Sequence, residues 1–243
     1  MGQTSIKNRK VIGVIGCLCI HGFTGSPYEV EPLVNYLKEN TNWKVIDPVL
    51  PGHGEGNSLS NIKFLDWIEC VENELEGLIE ECETVYLIGF SMGGLLAAYL
   101  AVKYPVKKLV LLSAAAHYIN IRQLVIDIKE MIMDGLKGHL SENILFQRYR
   151  RKIGGTPLSA TKQFRRLVRF IKPQLKYVSI PTLIVQGECD GIVPVKSAHY
   201  IFEHIGSNEK KLVFLTSSPH HVCHGPDYQQ LEKEISLFLQ QNE

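Results

Sequence analysis

A serine flanked two positions away by glycine on each side, Gly89-Phe90-Ser91-Met92-Gly93, ends one apolar run and opens another rich in small residues. The pentapeptide alone arises by chance in about one chain of this size in ten at ~7% glycine. Its setting makes it informative. A strand before it and a helix after it are the context of a nucleophile elbow, a sharp turn that lifts a hydroxyl above a sheet. Side chains at the flanking positions would collide with the neighbouring strand and helix. The helix N-terminus just beyond Ser91 favours the negative charge that develops in acyl transfer.

A serine hydroxyl is a weak nucleophile until a base, itself oriented by an acid, takes its proton. In this arrangement the chain order is serine, acid, histidine. Asp190 lies in Gly187-Glu188-Cys189-Asp190-Gly191-Ile192-Val193-Pro194, just past the apolar run Pro181–Gln186. That places it at the C-terminal end of a strand, where open α/β sheets build their sites. Glu188, two residues nearer the strand, is the rival acid. Three histidines follow the last apolar run, His220, His221 and His224, and any of them could be the base or a polar loop residue. An oxyanion hole needs two backbone N–H donors. Met92 supplies one as the residue after the nucleophile, and Phe23 in His21-Gly22-Phe23-Thr24-Gly25 supplies the other. His21, and His53 in Pro51-Gly52-His53-Gly54, read as residues that shape their loops.

These residues need elements to carry them. Apolar runs at Val11–Ile20, Trp43–Val49, Thr84–Gly89, Lys108–Ser113, Pro181–Gln186 and Lys211–Leu215 predict strands. Helical spacing marks Glu31–Asn40, Phe64–Glu81, Gly93–Lys103, Ser197–Ile205 and Tyr228–Leu239. Alternating strands and helices predict an α/β fold with a mainly parallel sheet and helices on both faces. The stretch 117–178 breaks the alternation. It reads as two or three helices, over 120–138, 141–152 and 157–172, forming a small cap. The core is then 1–116 and 179–243, with the cap at 117–178. Leu124, Ile128, Met131 and Ile132, and Leu167, Val168, Phe170 and Ile171, recur at helical spacing and predict an apolar face over the site. The cap holds 13 Lys/Arg against 4 Asp/Glu. Its clusters Arg148, Arg150, Arg151, Lys152 and Arg165, Arg166, Arg169 read as a solvated outer face rather than a membrane or substrate contact.

At 243 residues the chain suits one large domain with an insertion, and its formal net charge of +1 gives no case for a nucleic-acid partner. Six scattered cysteines include no C-x-x-C pair and no zinc spacing, and no N-x-S/T sequon occurs. They read as buried free thiols in a reducing cytoplasm. The apolar run after Asn8-Arg9-Lys10 is too short for a membrane helix, and it leads directly into His21-Gly22. It reads as a buried strand rather than a signal peptide.

Taken together, His21-Gly-Phe-Thr-Gly, Pro51-Gly-His-Gly, Gly89-Phe-Ser-Met-Gly-Gly, Asp190-x-Ile-Val-Pro and His221-Val resemble the bacterial carboxylesterases and monoacylglycerol lipases of the α/β-hydrolase superfamily. The similarity extends to Asp66-Trp67 and Thr156-Pro157. In those relatives the catalytic histidine precedes a valine or similar residue, so the resemblance implies His221 as base. It implies a triad of Ser91, Asp190 and His221, an ester substrate with a short- to medium-chain acyl group or a monoacylglycerol, and neither cofactor nor metal. A thioester, lactone or activated amide is the alternative electrophile on the same triad. A serine at position 91 argues against the dehalogenases and epoxide hydrolases of this fold, which use aspartate. A binding protein on a degenerate scaffold would have lost a triad member.

Overall fold

The computed structural model describes residues 11–54, 56–117 and 157–240. Among these residues six strands form one sheet, all parallel, in the order β2-β1-β3-β4-β5-β6. They are β1 (Val11–Ile20), β2 (Lys44–Ile46), β3 (Cys82–Phe90), β4 (Lys108–Leu112), β5 (Thr182–Gly187) and β6 (Lys210–Leu215). The helices are α1 (Glu31–Asn40), α2 (Phe64–Glu81), α3 (Met92–Lys103), α4 (Leu158–Ile171), α5 (Lys196–His204) and α6 (Tyr228–Gln240).

The central strands are apolar throughout because both faces are covered. Leu18, Ile20, Leu87, Leu109, Leu111 and Ile184 point into a core shared with α2, α3, α4 and α5. Their neighbours Cys17, Cys19, Ile88, Val110, Leu112, Leu183 and Val185 point into a second core beneath α1 and α6. Period-two alternation thus serves two apolar layers at once.

Strand β2 is shorter than the expected Trp43–Val49. It is an edge strand that ends at Ile46, and Pro48, which lacks a donor N–H, follows. All six cysteines are free, but Cys189 is exposed and Cys70 only half-buried, which corrects the expectation of uniform burial. No helix among the described residues is long and apolar enough to cross a membrane.

The chain runs from β1 outward to β2 and then returns to β3 on the other side of β1. The connections after β1 and β3 therefore lead to helices on opposite faces of the sheet, α1 and α3, and the C-terminal edge at such a switch point is where open α/β sheets bind ligands. Register brings those ends level: Ile20 pairs with Gly89, Phe90 with Leu112, Leu112 with Val185 and Gly187 with Leu215. His21, Ser91 and Glu188 thus begin loops on one edge.

The cap helices expected over 120–138 and 141–152 lie outside the described residues, with Leu124, Ile128, Met131, Ile132, Arg148, Arg150, Arg151 and Lys152. The helix expected over 157–172 is α4. Its Leu167, Val168 and Ile171 are buried in the core with α2 and α3, whereas Phe170 is part-exposed. Arg165, Arg166 and Arg169 are exposed, in keeping with an outward-facing basic side.

Candidate active site

Ser91 sits between β3 and α3 with φ 55° and ψ −113°. A non-glycine residue there costs on the order of 1–3 kcal/mol, and it persists only where its surroundings fix it. Three hydrogen bonds do so. The Ser91 N–H donates to the Leu112 carbonyl at 2.8 Å, and the Ser91 carbonyl accepts from Gly94 and Ala115 N–H, both at 3.2 Å. Gly93 has no room for a side chain: a Cβ there would lie 2.2 Å from the Ile20 carbonyl oxygen. The start of α3 is thereby pressed against the end of β1.

Asp190 is held by its own loop. One carboxylate oxygen, Oδ1, accepts from the Ile192 and Val193 N–H groups at 2.8 and 2.9 Å. The other, Oδ2, accepts from the Gln186 side-chain amide at 2.9 Å and from His220 Nδ1 at 2.7 Å. Burial is the largest influence on this carboxyl and raises its pKa. The hydrogen bond and charge of His220, with the two backbone donors, outweigh it and hold the group below the usual aspartate range. Glu188 is exposed and takes no part in this arrangement.

The ring of His220 lies between the other two groups. With Nδ1–H donating to Asp190, the Nε2 lone pair faces Ser91 Oγ at 3.1 Å. That is within reach for proton abstraction. His220 is almost wholly buried and packs on Phe90.

His221, expected in this position, is turned away. Its Nε2 lies 3.1 Å from Glu29 Oε1. The reason is local. His221 has φ −79° and ψ 75°, and the Val222 N–H bonds the His220 carbonyl at 2.9 Å. This is an inverse γ-turn centred on His221, and it sends consecutive side chains in different directions. His224 donates from Nε2 to the Tyr28 carbonyl at 2.7 Å and stacks on the Tyr28 ring.

The loop after β1 approaches Ser91 from the other side. A Cβ at Gly22 would lie 3.0 Å from the Ser91 Cβ. The amides on either side of Phe23 are tied down, Gly22 N–H to Glu29 Oε2 at 2.8 Å and Thr24 N–H to His53 Nε2 at 3.1 Å. Met92 opens α3, so its N–H is among those with no intrahelical acceptor. The Phe23 ring stacks on Phe164 of α4 at 4.9 Å and meets Trp67 edge-on.

His21 and His53 clamp this loop reciprocally. His21 donates from Nδ1 to the Gly22 carbonyl at 2.9 Å and accepts at Nε2 from the Leu50 N–H at 3.1 Å. His53 donates from Nδ1 to the Pro51 carbonyl at 3.1 Å while accepting from Thr24. Each ring must be neutral to accept at Nε2. Burial pushes the His53 pKa down to about 4, with the nearby His21 adding to the shift, and burial also lowers that of His21.

Two contributors were not foreseen from sequence. Gln186 donates to both Asp190 and the Val193 carbonyl, and Glu29 holds Gly22. The end of a strand and an acidic residue after Pro27 carry no local signal of either task. Among the described residues no group of His, Cys, Asp and Glu side chains is placed to hold a metal ion.

A parallel sheet with a strained serine turn after its third strand, and a buried His–Asp pair on loops at the same edge, defines an α/β-hydrolase. Comparison with known proteins agrees. Residues 16–227 match the family described as serine aminopeptidase, S33. The chain is 32% identical to a thermostable monoacylglycerol lipase of Bacillus sp. strain H-257, over 93% of this chain and 91% of the relative. It is 24% identical to a carboxylesterase of Bacillus subtilis strain 168, over 92% and 91% of the two chains. A solved structure reported for the metagenome-derived lipolytic enzymes LipS and LipT superimposes with a TM-score of 0.77 at 22% identity, covering 99% of this chain and all of the other. The chain belongs to the S33 family of serine hydrolases.

Proposed function

We propose that this protein is a serine carboxylesterase that cleaves short- to medium-chain acyl esters or monoacylglycerols, with Ser91, His220 and Asp190 as its triad. The observation that carries the reading is the continuous path from Ser91 Oγ to His220 Nε2 at 3.1 Å and from His220 Nδ1 to Asp190 Oδ2 at 2.7 Å. The names of the two bacilli enzymes favour an ester over the peptide that the family's description suggests.

In this reading His220 takes the Ser91 proton as Oγ attacks the ester carbonyl. The Phe23 and Met92 N–H groups receive the oxyanion. His220 then passes the proton to the departing alcohol, leaving an acyl-serine. Water, deprotonated by His220, attacks that acyl group and releases the carboxylic acid and free Ser91. Asp190 keeps Nδ1 protonated and steadies the imidazolium. The segment 117–178 serves as the cap that bounds the acyl site, with Phe164 stacked on Phe23 of the β1 loop. A panel of p-nitrophenyl esters and monoacylglycerols of increasing acyl length tests this. Hydrolysis of both classes that is abolished in Ser91→Ala supports the reading, and absence of ester hydrolysis by the wild type refutes it.

A further inference from the structure

Glu29 is a largely buried carboxylate, its side chain 12% exposed, that the triad does not use. It ends a short 3-10 turn, Pro27–Glu29, and reaches back beneath the β1 loop. Its Oε2 accepts from the Gly22 N–H at 2.8 Å, and its Oε1 lies 3.1 Å from His221 Nε2. The loop is wrapped tightly around it: a Cβ on Gly25 would fall 2.0 Å from Oε2. Gly22 adjoins Phe23, whose N–H is assigned above to the oxyanion, and it also abuts Ser91. His221 in turn is the immediate chain neighbour of His220. One carboxylate therefore links the loop on one side of the reacting carbonyl to the strand of chain bearing the base on the other.

We propose that Glu29 is a positioning residue for ester hydrolysis, fixing the oxyanion-binding amide through Gly22 while His221 holds its second oxygen. This rests on the esterase reading. Its electrostatics agree. Burial is the largest influence and raises the Glu29 pKa, but the His221 hydrogen bond and the Gly22 N–H outweigh it and keep the group below the usual glutamate value. Glu29 is thus an ionised acceptor at neutral pH. His221, in this account, supports the site through Glu29 and never meets the substrate. The tandem histidines divide the work, one on the proton and one on the oxyanion loop.

The test compares Glu29→Gln, which keeps an oxygen for the Gly22 N–H, with Glu29→Met, which fills similar space without one. A p-nitrophenyl butyrate assay reads kcat and KM separately, and an alkylboronic acid, which forms a tetrahedral adduct on the serine, reads oxyanion binding. Glu29→Met is expected to lose about 10- to 100-fold in kcat, with KM within about threefold, by analogy with loss of oxyanion donors and small misplacements. Boronate affinity is expected to fall by a comparable factor. Glu29→Gln is expected within about fivefold of wild type. Should Glu29→Met fail to fold, Glu29→Ala makes the same comparison. Unchanged kcat in the variant lacking an acceptor, a loss confined to KM, or a Gln variant no better than Met or Ala would overturn the positioning role. Wild-type activity that vanishes in Ser91→Ala shows in the same assay that the esterase reading stands whichever way Glu29 falls.

Discussion

Between His220 and His221 lies one peptide step, and that step decides which imidazole reaches Ser91. Sequence pointed to this histidine cluster and singled out Ser91 and Asp190, and the structure brings those two together with His220. Those two are fixed by requirements that show in residue type: glycines flanking a strained turn, and an acid in a loop after a strand. The histidine is chosen by an inverse γ-turn at His221, a backbone conformation open to nearly any residue, so residue type could not separate them, and the Val222 that follows pointed to the neighbour instead. His220→Ala is accordingly expected to lower kcat/KM by at least about a thousandfold, since it removes the group between Ser91 and Asp190. His221→Ala is expected within about tenfold of wild type, because Glu29 keeps its bond to Gly22. Steady-state kinetics on one chromogenic ester decides between them, and the reverse ranking would return the base to His221. At the acid, Asp190→Asn is expected to cost about a thousandfold or more through the wrong histidine tautomer, and Glu188→Gln, an exposed position, almost nothing.

At the scale of elements, the strands and helices of the core were legible because each is a long apolar run or a clean helical stripe. β2 was overread where Pro48 stops the ladder. Less legible was how the loops after β1 and β2 hold each other. The His21–Leu50 and His53–Thr24 bonds cross between them, and the rings meet edge-on at 5.0 Å. Thr24 itself sits at φ 62°, so its N–H bond to His53 helps to retain a strained turn. This clamp is expected to make the protein acid-sensitive. The folded pKa of His53 is about 4, below its ordinary value near 6.5. Between those two values the unfolded chain binds more protons than the folded one, so stability is complete above about pH 6.5 and falls as pH drops toward 4. The loss from this residue is at most about 3 kcal/mol. Thermal unfolding from neutral pH down to about pH 4.5 checks it. His53→Gln, which does not titrate, is expected to lose less Tm over that interval than the wild type. Equal losses would show that the ring does not carry the effect.

On the scale of the molecule, the sheet brings distant segments to one edge, and α4 closes over part of it through Phe164 on Phe23. The proposed cap bounds the acyl site, and a site so bounded is expected to select for length. Each acyl methylene buried contributes about 0.8 kcal/mol, roughly a fourfold gain in kcat/KM per carbon. The gain is expected to continue over short to medium chains and then reverse, with long-chain triglycerides poor substrates. A rate profile flat from acetate to palmitate, or efficient triolein hydrolysis, would contradict a bounded site.

Each role proposed for the site depends on Ser91 being the nucleophile activated by His220. The most direct measurement is mass spectrometry of the protein after exposure to a fluorophosphonate, which reacts with an activated serine and stays bound. The expected result is one adduct per chain, located on Ser91, absent from Ser91→Ala, strongly slowed in His220→Ala and formed nearly normally in His221→Ala. An adduct on a different residue, or labelling of His220→Ala at the wild-type rate, would contradict it.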